Sequence, residues 1–254
     1  MKFPRRAALA ALFCGAMLLL VSAQAMSQQA AQPATSTQPG TGEKTVEEAY
    51  LQSSLETMII REEAESDTRD MKQLALQYAK QAIDAGRKND DIRNSLAYLA
   101  TETINISARP AGVGPITNNF PDIRRTACDY LGEFPSQDTK KTLIKVVLGD
   151  NEPMVIGAAI RSLGKIGLND GDEVTQDIAF VVNRFDIIGP DNSLAFECLV
   201  AIQRLADKNN GLKDPDAIRA VMRIATGNYI TPVKAMANQV LDSLRRYQAS
   251  SGSK

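Results

Sequence analysis

The chain has 254 residues, of which 44% are hydrophobic, and 29 basic side chains against 30 acidic ones give a net charge of −1. This apolar content is enough for a folded core and excludes wholesale disorder, while the weak acidity argues against non-specific nucleic-acid binding. Histidine and tryptophan are absent, which excludes histidine-based catalytic triads and zinc or haem held by histidine.

Residues 1–25 have the features of a signal peptide. Three cations precede an apolar run over 7–21, and the small-x-small pattern of a cleavage site follows at residues 23–25. The run is short for a membrane span, and the alternatives are an uncleaved anchor or a lipoprotein modified at Cys14. We expect a periplasmic or secreted protein with no transmembrane segment in the mature chain.

Residues 26–43 are rich in Gln, Ala, Ser, Thr and Pro and predict a disordered tether. Residues 44–105 then show the period of three helices. Their apolar faces are Leu51, Leu55, Met58 and Ile59, then Met71, Leu74, Ala75, Tyr78, Ala79 and Ala82, then Ile92, Leu96, Leu99 and Ala100. Gly86 predicts the end of the second helix and Asn89 the start of the third. Residues 106–120 show no period and predict a long loop.

From residue 121 to 248 a pair of helices recurs. Longer helices are predicted to begin at Pro121, Pro153, Pro190 and Thr231-Pro232. Their apolar stripes, which start at Ile123, Val155, Leu194 and Val233, recur at offsets of 32, 39 and 39 residues. The shorter partners carry Leu143, Ile144 and Val147, then Ile178, Val181, Val182 and Phe185, then Ile218, Val221, Met222 and Ala225. No stretch alternates as a strand would. The sequence therefore predicts an all-α fold, an α-solenoid of antiparallel helix pairs followed by a disordered tail at 249–254. An irregular helical bundle is the alternative.

Two segments carry a family resemblance. Residues 158–167 (AAIRSLGKIG) and 124–134 (RRTACDYLGEF) resemble the first helix of a HEAT or HEAT-like repeat, and the two later repeats resemble it more weakly because they lack the Leu-Gly pair. The resemblance implies a solenoid that acts in protein–protein scaffolding, and it transfers no catalytic residue. In such a solenoid Cys128 and Cys198 lie two repeats apart, which predicts free thiols.

The sequence gives little support to catalysis. The acidic cluster at residues 170–173 (DGDE) lacks the spacing of a calcium-binding EF-hand loop and predicts a turn between helices. Glu133 aligns with an exposed turn position of the repeat and has no fixed second carboxylate nearby. Nucleophile elbows and phosphate-binding loops are also absent from the sequence. We therefore expect no catalytic residue, no metal and no cofactor.

Two features are candidates for binding a partner. The long loop has Arg109 at one end and Asn118 and Asn119 at the other, and a simple bridge between helices is its alternative. The second helices of the pairs, which usually line the concave side of HEAT-like solenoids, carry a set of cations outside the core positions. This set is Lys141, Lys145, Arg184, Arg219 and Arg223. It predicts a basic stripe suited to an acidic partner segment, with a solvated face of scattered cations as the alternative.

These features together predict a non-enzymatic periplasmic scaffold or adaptor that binds another protein, with an envelope-associated assembly such as a flagellar or secretion apparatus as one setting. The alternative is a periplasmic enzyme or small-ligand-binding protein, with its pocket between the N-terminal helices and the repeats.

Overall fold

A computed structural model describes residues 45–105 and 116–251. All regular elements in these residues are helical. They are α1 Val46–Glu65, α2 Arg69–Asp84, α3 Asp90–Asn105, α4 Pro121–Leu131, α5 Gln137–Gly149, α6 Pro153–Ile166, a 3-10 turn Asp170–Asp172, α7 Glu173–Ile188, α8 Asn192–Lys208, α9 Pro215–Thr226 and α10 Thr231–Ser251. The signal peptide, the tether, Arg109 and most of the predicted loop lie outside the described residues.

The helices form two layers. Helices α2, α4, α6, α8 and α10 pack in succession as layer A, and α1, α3, α5, α7 and α9 pack in succession as layer B. The buried apolar side chains of both layers form one continuous cluster, because a helix pair buries its apolar stripe only by stacking on the next pair. The predicted all-α solenoid is confirmed.

Local capping fixes several helix ends. The Asn89 side chain accepts a hydrogen bond from the Ile92 N–H at 2.8 Å, and Gly86 adopts a left-handed φ of 75° after α2, both as predicted. The prediction that Pro190 begins a helix is wrong. Helix α8 begins at Asn192 because the Asp191 side chain accepts from the Leu194 N–H at 2.8 Å, which satisfies a donor of the first turn.

Some buried faces are rotated from the predicted ones. Met71 and Met222, both assigned to apolar stripes, are 46% and 53% exposed. Lys72 and Leu76 of α2, which lie outside the predicted stripe, are buried together with Ala75 of that stripe. The core therefore contacts a side of α2 that is rotated from the predicted one. Helix α10 also continues to Ser251, three residues past the predicted end of the repeats at 248.

Cys128 on α4 and Cys198 on α8 are free and buried, as predicted. Helix α6 lies between α4 and α8 in layer A, and burial raises the pKa of both thiols. The Ser162 hydroxyl of α6 donates to the Cys128 carbonyl oxygen at 2.7 Å. This hydrogen bond connects successive repeats next to the first thiol.

A close approach of α6 and α8 depends on Gly164 of α6. A Cβ atom at this position would lie 2.8 Å from the Cα atom of Ala201 in α8, whereas one at Gly157 would lie no closer than 3.6 Å to any neighbour. We expect Gly164→Ala to lower the free energy of unfolding by about 1–3 kcal/mol through overpacking. Gly157→Ala, in the same helix, should raise it by about 0.5–1 kcal/mol because alanine favours the helix. Urea unfolding of both variants measures the difference, and equal effects would contradict the close approach.

Candidate interaction surface

Three of the predicted cations occupy equivalent positions near the C-terminal ends of layer B helices. Lys145, Arg184 and Arg223 lie on α5, α7 and α9 at successive intervals of 39 residues. Each contacts a residue of the preceding repeat. The Lys145 ammonium donates to the Asn105 side-chain oxygen, Arg184 Nη2 donates to Asn151 Oδ1 at 2.7 Å, and Arg223 Nη1 donates to Asp186 Oδ2 at 3.3 Å. These cations therefore connect neighbouring repeats along one edge of the layer.

A second row lies one turn earlier on the same helices. Lys141 on α5 and Arg219 on α9 are exposed, and the equivalent position on α7 is Phe180, which is 54% exposed. Arg219 forms an ion pair with Asp216. The row thus presents an aromatic ring on the helix between two helices that carry cations.

Other large apolar side chains are exposed on the same face. Positions spaced i, i+4 and i+7 lie on one side of a helix, which places Leu148 of α5 and Ile187 of α7 beside the cations. Leu148 is 43% exposed and Ile187 is 82% exposed. Met222 of α9 is the neighbour of Arg223 and is also exposed. We name this set the layer B surface: Lys141, Lys145, Leu148, Phe180, Arg184, Ile187, Arg219, Met222 and Arg223.

The electrostatics of the layer B surface are uneven along its length. The carboxylates of Asp186 and Asp216 pair with the arginines of α9, whereas Lys145 and Arg184 contact neutral amide oxygens. Asp177 of α7 is partly buried, and its desolvation raises the pKa of that carboxyl. Among the described residues, positive charge without a carboxylate contact is therefore concentrated at the α5 and α7 end.

The two predicted loop residues that the structure describes, Asn118 and Asn119, form contacts with α3 and α4 and do not lie on the layer B surface. Asn118 is buried, and its Nδ2 donates to Glu102 Oε1 at 3.4 Å. Asn119 Oδ1 accepts from Arg124 Nη1 at 2.7 Å. Both side chains thus hold the end of the loop against α3 and α4. The sequence marked both as candidates for partner binding, and that role stays a prediction. Only the folded chain brings Glu102 and Arg124 to them.

The acidic candidates form contacts between repeats. Lys140 Nζ lies 3.3 Å from Asp170 Oδ2 and 2.8 Å from Glu173 Oε2. Glu133 pairs with Lys165 and, at 3.2 Å, with Lys88, and the hydrogen bond from Lys165 is the largest cause that lowers the pKa of this carboxyl. These carboxylates connect helix ends of adjacent repeats.

Layer A contains an ion-pair row that the sequence reasoning missed. Arg161 of α6 donates through Nη1 to Asp129 Oδ1 at 3.0 Å and through Nε to Glu197 Oε2 at 2.9 Å. Arg161 and Glu197 also line a concavity of about 400 Å³ between α6 and α8. The signal available in the sequence was the pair of spacings, 32 and 36 residues, which are close to the length of a repeat.

The fold and the layer B surface define the class of this protein as an α-solenoid of stacked helix pairs. Residues 116–180 match a family model described as HEAT repeats, which confirms the resemblance deduced from the sequence for this part of the chain. The match covers α4, α5, α6 and the first half of α7. No curated protein and no solved structure shows significant similarity to the chain. HEAT repeats are in general protein-interaction scaffolds.

Proposed function

We propose that this protein is a non-enzymatic scaffold that binds another protein through the layer B surface. The observation that carries the proposal is the exposure of large apolar side chains among cations on three neighbouring helices of layer B, α5, α7 and α9. Exposed apolar side chains of this kind are typical of interaction sites, and the surrounding cations favour an acidic partner segment. The HEAT-repeat match over 116–180 supports the same use of the fold.

We further propose that the protein acts in the periplasm or after secretion, with a partner in the cell envelope. The support is the cationic start, the apolar run and the small-x-small site within residues 1–25. Among the helices that the structure describes, none combines the length and the apolarity needed to cross a membrane.

Site-specific photo-cross-linking in the source cells tests the layer B surface. A benzoylphenylalanine at Phe180 should form one discrete adduct with a partner protein, and charge reversal by Lys141→Glu with Arg184→Glu should reduce that adduct at least 5-fold. Phe196 is the matched control, since it is also a phenylalanine, is 43% exposed and lies in layer A. No adduct at Phe180, or equal adducts at both positions, would overturn the proposal.

A further inference from the structure

The first helix of the solenoid presents an apolar face that none of the described residues covers. Helix α1 packs on α2 and α3 and buries Ile60 and Ala64. Its remaining large apolar side chains are exposed. They are Val46 (83%), Tyr50 (74%), Leu51 (61%), Leu55 (54%), Met58 (42%) and Ile59 (41%), and we name them the α1 face. All four side chains of the apolar face predicted from the sequence, Leu51, Leu55, Met58 and Ile59, are thus exposed and do not belong to the core.

The two ends of the solenoid differ in this respect. The terminal helices of a solenoid normally expose a polar outer side, since no further repeat covers them. Helix α10 follows that rule, because no large apolar side chain from Thr231 to Tyr247 is highly exposed. The α1 face is therefore a property of the N-terminal end and not of terminal helices in general.

The α1 face continues into a groove. Leu51, Leu55 and Ile59 of α1 face Tyr78 of α2 across a concavity of about 520 Å³. The apolar side chains of α1 that line this groove, from Leu51 to Ile59, extend over about 12 Å at 1.5 Å per residue. A groove of this length fits the apolar side chains from about two turns of a helix.

The negative charge of α1 favours a cationic occupant of the groove over the other possible ones. The helix has six glutamates and one arginine, a net charge of −5. Within the described residues only Glu56 of these glutamates forms an ion pair, with Arg87 at 2.8 Å. Glu63, one turn beyond Ile59, is partly desolvated, which raises the pKa of its carboxyl, and its Oε2 accepts no hydrogen bond from the described chain. A cationic occupant would provide the missing partners.

Three other occupants fit less well. A second copy would bring two helices of charge −5 together, which costs free energy at low salt. An anionic membrane surface would meet the same repulsion. The chain directly before α1, residues 26–43, contains no apolar period that could fill the groove. Residues 7–21 are apolar, but they belong to the segment predicted to be removed.

We propose that the α1 face is the docking site for a basic amphipathic helix of a partner protein. Its leucine-type side chains would enter the groove between α1 and α2, and its cations would lie against the glutamates of α1. This site is separate from the layer B surface, so either proposal can fail without the other.

Fluorescence anisotropy with a labelled synthetic helix of 16 residues tests the site. The probe has leucines along one face and lysines elsewhere, and two control peptides replace lysine with glutamate or scramble the leucine positions. The full chain should bind the basic probe saturably with a micromolar dissociation constant. Leu51→Glu with Leu55→Glu should weaken binding at least 10-fold. Met154→Glu with Phe196→Glu, which adds the same charge in layer A at side chains 45% and 43% exposed, should change it less than 2-fold.

A separate variant tests how much the glutamate charges contribute to binding of the basic probe. Glu48→Gln with Glu56→Gln removes two carboxylates that line the groove, and glutamine at position 48 can retain the capping box with Thr45. This variant should weaken binding several-fold and make it less sensitive to salt. Circular dichroism should show unchanged helix content in every variant, because each changed side chain lies at the surface or at its margin.

Several results would overturn the proposal: equal binding of the glutamate or scrambled peptide, no binding of the basic probe, no loss in the Leu51→Glu and Leu55→Glu variant, or a dimer in sedimentation that this variant dissociates. The last result would assign the face to a second copy of the chain. Binding only after removal of residues 1–25 would assign it to the chain's own N-terminal segment and would equally overturn the partner helix.

Discussion

Replacing Arg124 with methionine is expected to lower the free energy of unfolding by about 3–5 kcal/mol, because it leaves a buried carboxylate without its cation. Arg124 Nε donates to Asp150 Oδ2 at 2.7 Å, and the side chains of both residues are only 3% exposed. The arginine also donates to Asn119. Equilibrium unfolding in urea, followed by circular dichroism, measures the loss.

Two comparisons show whether burial of the charge causes that loss. Arg219→Met breaks an ion pair whose side chains are 66% and 57% exposed, and it should cost less than about 1 kcal/mol. Adding Asp150→Asn to Arg124→Met should restore at least about 1 kcal/mol, because it removes the buried charge. An asparagine oxygen can still accept the backbone N–H groups of Asn151 and Glu152, which Asp150 Oδ1 accepts at 2.7 and 2.9 Å. A further loss in the double variant would contradict this explanation.

The second large effect is expected at Lys72, a completely buried lysine of α2. Its ammonium lies 3.0 Å from Glu102 Oε1 of α3, donates to the Ala64 carbonyl oxygen of α1 at 2.9 Å, and lies 5.4 Å from the centre of the Tyr98 ring. Lys72→Met should therefore destabilise the N-terminal helices by about 3–5 kcal/mol. Through these contacts the Lys72 side chain connects α1, α2 and α3, and the methionine variant loses that connection.

The position of this loss along the solenoid is as informative as its size. Stability in a solenoid is approximately a sum of local terms, so hydrogen exchange should accelerate over 46–105 and remain slow in α6 and α8. Lys80→Met, which breaks an exposed pair with Asp84, is the control and should change exchange little. Adding Glu102→Gln should recover part of the protection by removing the unpaired charge. Uniform acceleration along the whole chain would instead indicate one cooperative unit.

Much of the fold follows from signals that act within a few residues. The N-cap at Asn89, the left-handed glycine at position 86 and the proline at the start of α6 are readable because each acts within its own helix end. Asn89 accepts a hydrogen bond from a backbone N–H of α3, Gly86 adopts the conformation that ends α2, and the proline has no N–H that the first turn would leave unpaired. The error at Pro190 has the same origin, since the sequence contains two start signals side by side. The Asp191 carboxylate accepts a hydrogen bond from the Leu194 N–H, whereas a proline side chain has no acceptor.

The candidate surface was predictable only in outline. The 39-residue interval of Lys145, Arg184 and Arg223 could be read from the sequence, and the structure places these cations on successive helices of one layer. Their contacts could not be read. Whether a cation meets an amide or a carboxylate depends on a neighbour about 33 to 40 residues away in the chain.

The sequence by itself determined the helical class, the repeat and the segment 116–180 that matches HEAT repeats, because helix periods and caps are local properties of the chain. Only the tertiary structure decided which sides of the helices are buried. A lysine at position 72 is typical of a surface, and an apolar stripe on α1 is typical of a core, yet the structure buries the first and exposes the second. The physical reason is that burial depends on the neighbours a helix acquires. Helix α2 packs against α1, α3 and α4, whereas α1, the first helix of the part of the chain that the structure describes, packs against α2 and α3.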